Sequence, residues 1–378
     1  MTRRTCDASA YPKPLVALAR HRLPGAVASF PAEPLGEQAW HRALAAAQDH
    51  RVTGLLHAAI TDGALPVTGE QARQAKATHR TAQLRVLILE RELARVAGLL
   101  GDAGIECRAL KGSALARLDY PDPTLRSFND LDVLVRAGDI DHAAAVLGDA
   151  GFVRTLAEPR PGFDRRFDKG MTLLPPAGYE LDLHRTFVLG PWGVLVDLDR
   201  LWDGGDEFAV GGRTLRALSR PNRFLHACYH AALGDWPLRL GSLRDIAELL
   251  RSVDKGPDAG VVRRVAADWG AEAVVAAAVA DTVRLLGLDG TGELARWARD
   301  YVPDRREEQW LALHTHEDKT FAAQALATLR VLPRWRDRAS YLHALVLPDA
   351  RYTQGRHSST LGRFAYAVKE IRKGRGAR

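Results

Sequence analysis

A change of rhythm at Gly101 restricts the fold of this chain more than any other feature. Upstream, Gly36–Asp49 and above all Glu70–Leu100 place apolar residues at three- and four-residue steps with charged residues between them, the spacing of amphipathic helices. Downstream the apolar runs become short: Ile105–Leu110, Leu131–Val135, Phe152–Thr155, Met171–Leu174 and Tyr179–Phe187. These lengths predict strands. Between them Ile140–Ala150 predicts a helix opened by Asp139 and closed by Gly151. From Pro221, suited to a first helical turn, the helical rhythm returns through Asn222–Leu233, Leu243–Val253, Ala259–Leu286 and Gly292–Val302. Strands grouped in the middle with helices between and around them predict an α+β chain: a mixed sheet with helices on one side, flanked by N- and C-terminal helical regions. The length of 378 residues holds roughly two or three domains. The rhythm divides it into an N-terminal helical region (1–100), a sheet-bearing core (101–218), a C-terminal helical domain (219–350) and a tail (351–378).

Charge is distributed just as unevenly. Residues 351–378 carry eight Lys and Arg against Glu370 alone, which accounts for the whole net charge of +7. The first 350 residues are therefore neutral. A polynucleotide partner is ordinarily served by a basic channel in the body of a protein, so nucleic acid is not favoured, although the basic tail offers it a surface. A content of 46% apolar and 26% charged residues excludes global disorder. Cys6, Cys107 and Cys228 stand far apart with no CxxC, which excludes a disulfide framework and a Cys-rich zinc site and suits a reducing cytoplasm. The opening residues lead into no apolar h-region, and no run approaches 18 apolar residues, so neither a secretory signal nor a membrane span is expected.

Three stretches carry candidate chemistry. In Asp130-Leu131-Asp132 the two carboxylates stand two residues apart on a strand and so share a face. Their repulsion makes a cation, naturally Mg²⁺, the expected third party. In Glu180-Leu181-Asp182-Leu183-His184 every second residue is polar, so this strand buries one face and presents Glu180, Asp182 and His184 on the other. Sheet pairing that brings Asp182 beside the first pair would assemble the three carboxylates that a two-metal phosphoryl-transfer site needs. Third, Lys111-Gly112-Ser113 falls at a strand-to-helix turn, where glycine permits close approach and backbone N–H, lysine and hydroxyl groups offer donors to phosphate. No GxxxxGK[ST] or GxGxxG occurs, so P-loop and Rossmann folds lack support.

The ordered set Leu110–Leu115, Tyr120–Arg126, Asp130–Val135, Leu147 with Ala150–Phe152, and Asp182–His184 resembles the bacterial uncharacterised nucleotidyltransferase family, within the DNA polymerase β-like nucleotidyltransferase superfamily. Leu225-His226, His230, Leu238–Leu240 and Arg244–Ala247 resemble the helical half of that family, so the likeness spans roughly residues 80–250. It implies a polymerase-β-like sheet with a helical companion, and transfer of a nucleoside monophosphate from an NTP to an acceptor with Mg²⁺ or Mn²⁺ as cofactor. Asp130 and Asp132 match the metal pair and Asp182 the third acidic position. Lys111, Gly112 and Ser113 match the nucleotide-facing turn, with Lys-Gly-Ser where the wider superfamily has Gly-Ser.

Around these, Arg126 is expected either to reach phosphate oxygens or to neutralise nearby carboxylates. Glu180 is expected as a solvated neighbour, and His184 as a structural hydrogen bond rather than a base. His226 and His230 have the i, i+4 spacing of a zinc pair but no third ligand, so lining the cleft or packing against the core is expected. Arg239 and Asp245 complete the candidate cleft residues, Asp245 equally suited to a helix salt bridge. The neutral body favours a small-molecule, sugar or peptide acceptor. Modification of tRNA or another nucleic acid in the manner of toxin-like relatives, and a transferase using a nucleotide-sugar, are the alternatives.

Overall fold

A computed structural model describes residues 10–12, 14–235, 237–315 and 321–353. Residues 354–378, which hold most of the basic tail, lie outside them. The described residues begin with four helices, α1 (Leu15–Arg20), α2 (Glu37–Asp49), α3 (Thr53–Thr61) and the 34-residue α4 (Gly69–Asp102). Helix α4 starts in a capping box: the Thr68 hydroxyl accepts from the Gln71 backbone while the Gln71 side chain accepts from the Thr68 backbone. It leads directly into β1 (Cys107–Ala109), α5 (Ser113–Leu118), β2 (Asp130–Val135), α6 (Ile140–Asp149), β3 (Val153–Arg154), α7 (Phe163–Arg166), β4 (Gly170–Leu174) and β5 (Glu180–His184).

The strands form one mixed sheet in the order β1-β2-β5-β4-β3. Only β2 and β5 run parallel, and their register sets Asp130 beside Glu180, Asp132 beside Asp182 and Leu134 beside His184. Because side chains alternate, the two faces are distinct. Leu131, Val133, Leu181 and Leu183 point into a core with α4 (Val86, Leu89, Leu93) and α6 (Ile140, Ala143, Leu147). The opposite face carries the acidic residues, and the apolar residue that β2 places on it, Leu134, belongs to the core of the helical half. Burial of this first face, at about 25 cal/mol per Å² of apolar surface, is what holds the acidic face outward.

After α8 (Pro191–Leu195) comes a hairpin, β6 (Glu207–Val210) with β7 (Arg213–Arg216), closed by Gly211-Gly212. The helical half follows: α9 (Arg220–Tyr229), a π-helical turn His230–Gly234, α10 (Leu240–Val253), α11 (Asp258–Asp268), α12 (Glu272–Leu286), α13 (Glu293–Asp300), α14 (Arg305–Thr315), α15 (Phe321–Val331), α16 (Trp335–Val346) and α17 (Ala350–Thr353). The single helix expected over Ala259–Leu286 is two, parted at Trp269–Ala271, where the Ala271 N–H turns back to the Ala266 carbonyl. The segment α16 returns to the sheet side, where Tyr341 stacks on Phe163 and meets Phe167 edge-on around α7. No helix among the described residues is long and apolar enough to cross a membrane.

Candidate active site

The acidic face of β2 and β5 is where the structure brings the expected residues together. Asp132 is buried, with Oδ1 3.0 Å from His184 Nε2 and Oδ2 3.2 Å from Lys111 Nζ. Burial alone would raise its pKa; the Lys111 ammonium and the His184 ring outweigh that and hold it well below the usual carboxylate range. Asp130 meets the same ammonium, at 3.2 Å, through Oδ2, and Arg51 at 3.3 Å through Oδ1. The cation expected between the two carboxylates is thus in part the chain's own: Lys111 bridges them. Desolvation pulls its pKa down, but Asp132 and Asp130 more than offset this and raise it. Asp182 receives Lys169 Nζ at 2.9 Å and the Thr172 hydroxyl at 2.5 Å. Burial opposes its ionisation; Lys169 and His184 prevail, and its pKa is lowered.

His184 has the partner that the sequence does not reveal. Its Nε2 also lies 3.9 Å from Asp182 Oδ2, and its Nδ1 is 3.2 Å from the Thr186 carbonyl. Asp132, Asp182 and His184 each offer a donor atom, and all three atoms fall within 4.8 Å of one another. That donor set fits a divalent cation. Glu180 lies exposed at the end of β5 beside Asp130, as a solvated neighbour would.

The turn before α5 is divided in its roles. Gly112 takes φ +59°, and a Cβ there would press on the Phe128 ring at 3.3 Å, so glycine is required beside Lys111. The Ser113 hydroxyl, expected to face a triphosphate, is buried and donates to Glu90 of α4 at 3.2 Å, where Arg117 also forks onto Glu90 at 2.7 and 2.6 Å. Arg126 is likewise committed: its guanidinium grips Asp245 of α10 at 2.7 and 2.7 Å, donates to the Gly112 carbonyl at 3.2 Å and is buried. Tyr120 adds a hydrogen bond to the same carboxylate at 2.7 Å. Arg126 therefore neutralises a carboxylate, but that of Asp245 rather than the β2 pair, and Asp245 is a buried strut instead of a substrate contact.

Helix α9 and its π turn form the facing wall. His226 is buried, hydrogen-bonded to the Leu110 backbone and tilted against Phe187; burial, then His184, lowers its pKa to about 3. His230 stacks near it at 6.5 Å, and burial with Lys111 lowers its pKa well below the usual value. Neither belongs to a three-ligand group among the described residues. Arg239, half exposed, lies 3.4 Å from Asp235, which also accepts from Ser242 at 2.5 Å.

Three site neighbours escape a reading of the sequence. Lys169 ends the loop before β4, and its only sequence signal is the Gly170 that follows: a Cβ at Gly170 would strike the Leu183 carbonyl at 2.0 Å. Thr172 stands opposite Asp182 through the β4–β5 register. Arg51 comes from the α2–α3 turn with φ +58°, a left-handed conformation uncommon outside glycine. Its carbonyl accepts from Ser127, and the same turn accepts the Gly241 and Leu240 N–H groups at the start of α10.

A mixed sheet whose parallel pair presents carboxylates to a helical wall, with Lys111 and Lys169 reaching them from neighbouring turns, suits anionic substrates and cations. The chain belongs to the uncharacterised nucleotidyltransferase family, whose model matches residues 36–287, and it is an enzyme of the nucleotidyltransferase class. No curated protein matches it. Among solved structures, the antibiotic-resistance factor ANT(2'')-Ia is similar at 16% identity over 50% of this chain and 92% of that one, with a TM-score of 0.34. An antigenic nucleotidyltransferase-like protein from Paracoccidioides brasiliensis is similar at 14% identity over 50% and 94%, with a TM-score of 0.30. At such TM-scores neither likeness bears on the fold or chemistry of this chain.

Proposed function

We propose that the enzyme moves a nucleoside monophosphate from an NTP to a hydroxyl group of a small-molecule, sugar or peptide acceptor, at the face where β2 and β5 run side by side. The observation that carries this reading is the parallel register that sets Asp132 beside Asp182, with Lys111 reaching both Asp130 and Asp132. Asp132 and Asp182, with Asp130 beside them, would hold a divalent cation, Mg²⁺ or Mn²⁺, which when bound neutralises charge on the transferring phosphoryl group.

The remaining work falls to the chain's own side chains. Lys111 is a point charge next to the carboxylates, suited to phosphate oxygens once a cation takes over its partners. Gly112 allows the backbone to approach the same phosphates. Ser113 and Arg126 act one step back: buried on Glu90 and on Asp245 with the Gly112 carbonyl, they fix the turn that carries Lys111. Phosphoryl transfer depends mainly on positioning and charge stabilisation, and these contacts supply the positioning. Asp182, more open than Asp132, would orient the acceptor hydroxyl. The neutral charge of the first 350 residues favours an acceptor without a long phosphate backbone.

Thermal unfolding measured with ATP, GTP, CTP, UTP and nucleotide-sugars, each with and without Mg²⁺ or Mn²⁺, tests this. The expected result is a cation-dependent rise with at least one NTP that disappears in Asp130→Asn/Asp132→Asn. A response to nucleotide-sugars alone contradicts the proposed donor.

A further inference from the structure

His184 occupies a position that carboxylate chemistry alone does not explain. Its side chain is only 5% exposed, and from β5 it sets Nε2 3.0 Å from Asp132 Oδ1 and 3.9 Å from Asp182 Oδ2. The other nitrogen, Nδ1, faces the Thr186 carbonyl at 3.2 Å. A carbonyl only accepts, so Nδ1 is the nitrogen that would keep its hydrogen when a cation among the carboxylates takes the place of the Nε2 hydrogen now donated to Asp132. Metal-binding imidazoles are oriented in this way, one nitrogen on the ion and the other N–H on a backbone carbonyl. Asp130 stands differently, for it is not among the three residues whose donor atoms converge.

Resting on the proposed function, we infer that His184 is a direct metal ligand, completing an Asp132–Asp182–His184 set in which imidazole nitrogen stands where an all-carboxylate site would use oxygen. The ligand change sets the metal. Mg²⁺ demands hard oxygen donors in near-ideal octahedral geometry, whereas Mn²⁺ accepts a mixed nitrogen and oxygen set. The enzyme is therefore a manganese-preferring transferase. Thr172 and Lys169 fix the Asp182 carboxylate from the neighbouring strand and loop, as outer partners of a metal ligand do.

Electron paramagnetic resonance on the full chain loaded with Mn²⁺ reads this directly, because a ligated imidazole imprints ¹⁴N modulation on the spin echo. The wild type is expected to show that modulation, His184→Gln and His184→Glu to lack it, and His226→Gln and His230→Gln to retain it. His184→Glu keeps an anionic oxygen ligand and is expected to bind Mn²⁺ within about tenfold of wild type, so its missing nitrogen signal is not a failure to fold or bind. Mg²⁺ is expected to displace Mn²⁺ from wild type only at about tenfold or greater excess, a gap that narrows in His184→Glu. Bound Mn²⁺ without nitrogen modulation in wild type, or modulation that survives in His184→Glu or vanishes in His226→Gln, overturns the inference. If Asp132→Asn still abolishes that binding, the proposed function stands without it. Absence of Mn²⁺ binding with and without a non-hydrolysable NTP overturns both.

Discussion

Two clusters of paired charge lie within one stretch of this molecule, and they are built on opposite plans. At the seam between sheet and helical half, Arg126 forks onto Asp245 at 2.7 and 2.7 Å, and Arg223 onto Asp119 at 2.9 and 2.9 Å, all four side chains at most 8% exposed. On the acidic face, Lys111 and Arg51 touch Asp130 by single contacts of 3.2 and 3.3 Å, and Lys169 touches Asp182 while itself 38% exposed. The first kind is closed: two hydrogen bonds per pair, little water, nothing left over. The second is open: lysines and a long arginine on carboxylates that can exchange partners. Arg and Lys are used here according to their chemistry, the rigid fork where charge must be locked and the mobile point charge where it must be released. The difference teaches that ionic content alone does not mark a site; the geometry of the pairing does.

That contrast can be broken from either side. The largest effect is expected at Asp132: replacement by Asn should lower turnover by about 10³-fold while circular dichroism stays that of the folded chain, and melting falls because the Lys111 ammonium loses a buried partner. Next is the closed cluster. Asp245→Ala leaves the Arg126 charge buried and alone, a loss of about 3–5 kcal/mol, read as a fall in denaturant midpoint; Arg126→Met/Asp245→Leu should recover most of it.

The third prediction concerns acid. His226, neutral in the fold with its pKa near 3 against 6.5 for the free side chain, binds a proton far more readily once unfolded. Its stabilising contribution is complete above pH 6.5 and is lost as pH falls toward 3, at a limiting slope of about 1.4 kcal/mol per pH unit. His226→Gln should flatten the stability profile in that window, and an unchanged slope would exclude the histidine as its source. The smallest effect is expected at Arg51. Removing its contact costs about 0–1 kcal/mol and glycine relieves the left-handed backbone by a similar amount, so Arg51→Gly should melt close to wild type.

Much of this contrast is written in the sequence, but only on one side of it. The period-2 pattern of Glu180–His184 announces an acidic face, and Asp130 and Asp132 announce another, because alternation is a local property of each strand. The long α4 and the strands that follow it are legible for the same reason, since helical and strand periods differ. What no local pattern holds is pairing: Lys169 reaches Asp182 across a hairpin, Arg51 reaches Asp130 from 79 residues away, and Ser113 finds Glu90 rather than phosphate. A KGS turn names its donors and leaves their direction open. The β6–β7 hairpin had a signal in Gly211-Gly212, yet its flanking strands of four residues are too short to show a period. The parting of α11 from α12 at Trp269–Ala271 interrupts an apolar rhythm that reads straight through.

Equilibrium binding of an NTP by titration calorimetry, with Mn²⁺ or Mg²⁺ present, tests the division between the two clusters most directly. Wild type and Arg223→Met/Asp119→Leu, which alters the closed pair away from the Lys111 turn, should bind with similar affinity, and Asp132→Asn should lose binding by about two orders of magnitude or more. Undiminished binding by Asp132→Asn, or its loss only in the Arg223/Asp119 pair, would contradict the account and place the nucleotide at the seam instead of on the acidic face.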